Sequence, residues 1–133
     1  EKEKNVRALL NFGHTFGHAI ESINKYKKNI NHGEAVSIGM VFALKLSQKL
    51  NLLNVKTVEK IIKHFKDVGL PTVLPRSFRK KVTLKKFLSV MKKDKKVKRG
   101  RVNLILLKKI GKAFISNQFS EKKLNEVILS QIK

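Results

Sequence analysis

The chain has 133 residues, with 31 Lys and Arg against 9 Asp and Glu for a formal charge of +22, and a hydrophobic fraction of 41%. That is one domain's length with enough apolar side chains for a core, which argues against a wholly disordered chain, and the charge points first to anionic partners: nucleic acid, an anionic membrane or a phosphorylated small molecule. The absence of Cys excludes a disulfide scaffold, a thiolate metal site and a Cys nucleophile.

Taken in chain order, Leu9, Phe12, Phe16, Ile20 and Ile23 recur at steps of three and four, the stripe of an amphipathic helix. Gly13 and Gly17 fall within that pattern. Each weakens a helix by about 1 kcal/mol relative to Ala, so a close approach of backbone to backbone or to a ligand is expected there. Asn24 to Asn31 reads as a polar loop. Between Gly33 and Leu50 the residues are apolar nearly all round, which predicts a buried helix at the centre of the domain. Val55 to Val68 places Val58, Ile61, Ile62, Phe65 and Val68 on one face, with Gly69 and Pro71 as stop signals.

Pro71 and Pro75 bracket an extended connector, and Thr83 is placed to cap a fourth helix through Leu84, Phe87, Leu88 and Met91. Lys92 to Arg101 is a lysine-dense loop. Val102 to Leu107 and Ala113 to Ile115, flanking a Gly-containing turn, predict one small antiparallel hairpin. Ser120 can cap a last helix through Leu124, Val127, Ile128 and Ile132. The expected fold class is mainly α: one helical domain over residues 1–133 with a single β-hairpin. Lys interrupts every apolar run short of the roughly 20 residues of a membrane span, so a soluble, cytoplasmic protein is expected. A start at Glu1 without a signal-peptide pattern reads as a piece of a longer protein.

Three of the four His lie between residues 14 and 32, in Gly13-His14-Thr15-Phe16-Gly17-His18 and Asn31-His32-Gly33-Glu34. His14 and His18 are four apart and so share a helix face, a spacing that lets two imidazoles converge on one metal or substrate. His32, at the start of the buried helix, reaches them if the two helices pack as neighbours. Glu21 or Glu34 would be possible helpers. The competing reading is that these are hydrogen-bonded structural His beside tight Gly turns. His64, among lysines on a polar face, reads as solvated.

The run from Arg7 to Glu21 (RALLNFGHTFGHAIE), followed by His32 to Met40 (HGEAVSIGM), resembles the signature of 3-dehydroquinate synthase. Asp94-Lys95-Lys96 and the stretch from Leu104 to Gly111 resemble that family in order and spacing. The resemblance implies the helical C-terminal domain of an enzyme whose N-terminal NAD-binding domain is absent from this sequence. It implies His14 and His32 as ligands of Zn²⁺ (or Co²⁺), with a third ligand upstream, and His18 as a hydrogen-bonding or proton-transfer residue. Arg7 and Asn11 match substrate-binding positions, and Glu3 matches an acidic position near the site. One of Lys95 and Lys96 is implied to reach an anionic group of a phosphorylated sugar-acid substrate. A homodimer is implied as well.

Without the resemblance, Arg7 is a surface ion pair with Glu3, Asn11 a helix cap, and Lys95 and Lys96 solvated. Two rival functions remain: a related sugar-phosphate cyclase or metal-dependent polyol dehydrogenase domain, and a basic nucleic-acid-binding domain. Against the latter, only five of the cations are Arg and Trp is absent, so base-reading and stacking side chains are scarce. No nucleic-acid or membrane partner is therefore expected.

Overall fold

The computed structural model describes residues 13–25, 29–92, 97–98, 101–102, 104–109, 112–116 and 121–133. Among these residues six helices and four short strands follow in order: α1 (His14–Ile23), α2 (His32–Lys49), α3 (Val55–Asp67), α4 (Arg76–Lys81), α5 (Leu84–Lys92), β1 (Val97–Lys98), β2 (Arg101–Val102), β3 (Leu104–Lys109), β4 (Lys112–Ser116) and α6 (Glu121–Ile132). The chain is mainly helical, as its periodicities require.

Helix α2 is the axis. Ala35, Ile38, Val41, Phe42, Ala43, Leu44 and Leu46 are all buried, and α1, α3 and α6 pack around it. Ser47 is buried on the same helix and donates to the Ala43 carbonyl at 2.9 Å. Three aromatic rings carry the core from α1 through α2 to α5. Phe16 and Phe42 lie 5.3 Å apart between centroids and tilted by 40°, and Phe42 stacks on Phe87 at 5.5 Å. Such pairs add about 0.5–1.5 kcal/mol each beyond the area they bury.

The closest approach is between backbones. A Cβ built on Gly13 would stand 2.6 Å from the Val36 carbonyl oxygen and 2.7 Å from Met40 N, and one built on Gly17 would lie 3.2 Å from the Ala35 carbonyl oxygen. On the facing helix, a Cβ on Gly39 would collide with the Gly13 carbonyl oxygen and stand 2.7 Å from Gly17 N. The backbone-to-backbone alternative for these glycines is thus the one realised: no other residue lets α1 and α2 cross so tightly.

Helix ends follow local chemistry. Helices α2 and α3 both close in Schellman motifs. Asn51 (φ 61°) lets Leu52 N bond the Ser47 carbonyl at 2.9 Å, and Gly69 (φ 85°) lets Leu70 N bond the Phe65 carbonyl at 2.8 Å. Thr83 caps α5 by accepting from Lys86 N at 3.1 Å. Ser37 Oγ donates to the Pro71 carbonyl at 2.7 Å and ties the connector to α2. At the far end of α2, Lys49 donates to Glu126 of α6 at 3.1 Å, and this hydrogen bond with the lysine's charge holds the Glu126 carboxyl below its usual range.

Two expectations need correction. The connector is followed by α4, which the sequence pattern did not announce because Phe78 is its one buried residue and a single apolar position makes no stripe. In place of one hairpin there are two separate two-stranded antiparallel ladders. One pairs Leu104–Lys109 with Lys112–Ser116, interrupted by an irregularity between Leu107 and Lys109; the other pairs Val97–Lys98 with Arg101–Val102, too short to give a period-two signal. Ser120 lies outside the described residues.

The crossing yields a contrast that urea unfolding can read. Gly39→Ala forces Cβ into backbone atoms that cannot rotate away, and should destabilise by about 3 kcal/mol or more. Gly33→Ala, where a Cβ meets nothing nearer than Asn31 Oδ1 at 3.6 Å, should be neutral or stabilising by up to about 1 kcal/mol.

Candidate metal and substrate site

Helix α1 begins at His14, immediately after Gly13, so the glycine that meets α2 also sets the first histidine against it. His14 is half-buried and His18, one turn on, is exposed. Their rings meet edge to face with centroids 5.8 Å apart. His32 opens α2, and its ring centroid lies 6.0 Å from that of His14. The helix crossing therefore brings together three imidazoles that the sequence separates by up to 18 positions (32 − 14).

The start of α2 is held by a capping box. Asn31 Oδ1 accepts from Glu34 N at 2.8 Å, and Glu34 Oε1 accepts from Asn31 N at 3.0 Å. Glu34, a possible helper at the histidine site on sequence grounds, is thus committed to the helix start. Glu21 has a different role. Its carboxylate, on α1, lies 2.8 Å from His32 Nδ1, with the His32 side chain 61% exposed and that of Glu21 11%. The Asn31-x-x-Glu34 box was readable as a sequence pattern. The Glu21–His32 contact was not, because it joins two helices 11 residues apart.

A metal bound about 2.1 Å from a ring nitrogen sits about 3.2 Å from the ring centroid, so two imidazoles on one tetrahedral ion have centroids roughly 5 Å apart. Both the 5.8 Å and the 6.0 Å separations come within about 1 Å of that, so spacing alone does not choose between His18 and His32 as the partner of His14. Among the described residues no three His, Asp or Glu side chains are placed to enclose an ion. Two imidazoles fit one metal, and further donors have to come from elsewhere. Glu3, Arg7, Asn11, Lys95 and Lys96 lie outside the described residues. His64 is exposed, as expected of a residue on a polar face.

Comparison with known proteins fits this geometry. The family model described as 3-dehydroquinate synthase C-terminal matches residues 1–97. The chain belongs to the 3-dehydroquinate synthase C-terminal family. Relatives include the 3-dehydroquinate synthase of Pelagibacter ubique, 42% identical over 94% of this chain and 34% of that protein, and that of Shewanella frigidimarina, 44% identical over 96% and 34%. The chain thus spans about a third of the length of the curated relatives it matches.

Among solved structures, 2-epi-5-epi-valiolone synthase from Streptomyces hygroscopicus, with NAD⁺ and Zn²⁺ bound, superposes with a TM-score of 0.74 at 22% identity, covering 91% of this chain and 32% of that one. At that identity the likeness is one of fold. A 2-deoxy-scyllo-inosose synthase complexed with carbaglucose-6-phosphate, NAD⁺ and Co²⁺ gives a TM-score of 0.72 at 27% identity, over 91% of this chain and 34% of that one. No helix among the described residues of this family member is long and apolar enough to cross a membrane.

The capping box gives the testable outcome of this geometry. Asn31→Ala should lower unfolding free energy by about 1 kcal/mol, whereas Asn31→Asp, which keeps an accepting oxygen, should lower it by well under half of that.

Proposed function

We propose that this chain is the metal- and substrate-binding C-terminal domain of a 3-dehydroquinate synthase, a cytoplasmic homodimeric enzyme of aromatic amino acid biosynthesis. Its reaction converts 3-deoxy-D-arabino-heptulosonate 7-phosphate into 3-dehydroquinate and phosphate, with NAD held mainly by the N-terminal domain and a divalent metal, Zn²⁺ or Co²⁺. The observation that carries this reading is the gathering of His14, His18 and His32 at a glycine-packed crossing in a member of this family.

In this reading His14 and His32 are metal ligands, one from each of two helices that cannot slide on each other while their glycines are in contact. When bound, the metal supplies Lewis acidity toward the reacting oxygens and NAD supplies hydride exchange. His18 is exposed beside His14 and takes or returns a proton of the substrate, a task for which an imidazole is suited near neutral pH. Arg7 and Asn11 supply donors for the substrate's anionic and hydroxyl oxygens, Arg7 through two N–H groups at once. Lys95 or Lys96 adds a point charge for an anionic group, and Glu3 an acidic group beside the site.

A related sugar-phosphate cyclase is the second reading, supported by the 27% identity to 2-deoxy-scyllo-inosose synthase. The 42 to 45% identity to curated 3-dehydroquinate synthases favours the first.

In the whole enzyme, His14→Ala and His32→Ala should each lose most of the bound zinc. His18→Ala should keep zinc at wild-type stoichiometry and release phosphate from substrate about 100-fold more slowly or worse. Metal analysis and a phosphate-release assay on purified variants check both. Full metal content and full rate in all three variants would overturn the assignment.

A further inference from the structure

The Glu21–His32 contact is unusual in its balance. Glu21 shares with His14 and Gly17 the side of α1 that meets α2, and its own side chain is only 11% exposed. Placing a carboxylate there costs desolvation that an apolar residue would not incur. Its partner His32 is 61% exposed, so the pairing buries little of the imidazole. A pairing that served helix docking alone would be better made by an apolar side chain at position 21. The arrangement is suited instead to fixing the imidazole.

We propose that Glu21 is the positioning residue of the metal centre, holding His32 with its proton on Nδ1 so that Nε2 is left as the ligating nitrogen. A carboxylate can only accept, so the 2.8 Å contact requires an N–H on Nδ1. In the neutral ring that a metal binds, the lone pair is then on Nε2. The contact also restricts rotation of the ring, whose centroid lies 6.0 Å from that of His14. Glu21 is therefore not itself a ligand. It acts through His32, and it separates His32 from His18, which stands at a similar distance from His14, as the imidazole prepared for the metal. The inference rests on the reading of His32 as a ligand.

The test uses the whole enzyme, with zinc itself as the probe and a competing chelator to measure its dissociation constant. Glu21→Ala should weaken zinc binding by about 10- to 100-fold. Glu21→Gln, which keeps the shape and an accepting oxygen but not the charge, should fall between it and wild type; being isosteric, it also reads out the effect if the Ala variant does not fold. In a His32→Ala background, Glu21→Ala should cause no further loss. Zinc affinity within about twofold of wild type for both Glu21 variants, or the same fold-loss with and without His32, would overturn the proposal. If His32→Ala alone binds zinc like wild type, the failure lies in the ligand assignment and not in the role given to Glu21.

Discussion

The backbone contact between α1 and α2 sets the rest of the domain. Gly13, Gly17 and Gly39 let two helices meet with carbonyl oxygens and amides where side chains would normally stand. That closeness has a cost in helix propensity of about 1 kcal/mol at each of the helix-interior glycines Gly17 and Gly39, which the buried surface around Phe16, Phe42 and Phe87 offsets. It also fixes register. With Gly39 lodged against Gly13 and Gly17, neither helix can slide by a turn, so residues at the start of each helix hold a constant relation. The three histidines are at those starts.

The site lies where the packing changes character. Toward the interior the two helices bury apolar faces; toward their N-terminal ends the same crossing opens onto His14, His18 and His32, which range from half-buried to exposed. Imidazoles there can be approached by a ligand while their backbones remain anchored. The capping box of Asn31 and Glu34 and the carboxylate of Glu21 both act on α2's first turn, one on its backbone and the other on its first side chain. Precise placement of a few polar groups by a rigid apolar frame is the general requirement of a catalytic centre.

The excess of positive charge belongs to a different level. No Lys or Arg whose burial is described is buried, so those cations lie at the surface, exposed or partly exposed. Such a field attracts anionic substrates over distances of about a Debye length without specifying any of them. The histidine motifs and the match of residues 1–97 are what point to a family.

Much of this was legible in the sequence. The buried all-round pattern of α2, the stripe of α1, the Gly69 stop and the Thr83 cap are local features, and local chemistry decides them. The sequence also determined that three histidines of matching chemistry exist and that glycines accompany them. It did not announce α4, whose one buried residue is Phe78, or the division of the strand region into two ladders, because neither leaves a periodic signal. Nor could it pair Glu21 with His32, or choose between a ligand and a backbone as the reason for Gly13 and Gly17. Those depend on which helix faces which and at what distance, a relation between residues far apart in the chain that only the closed packing of α1 on α2 decides.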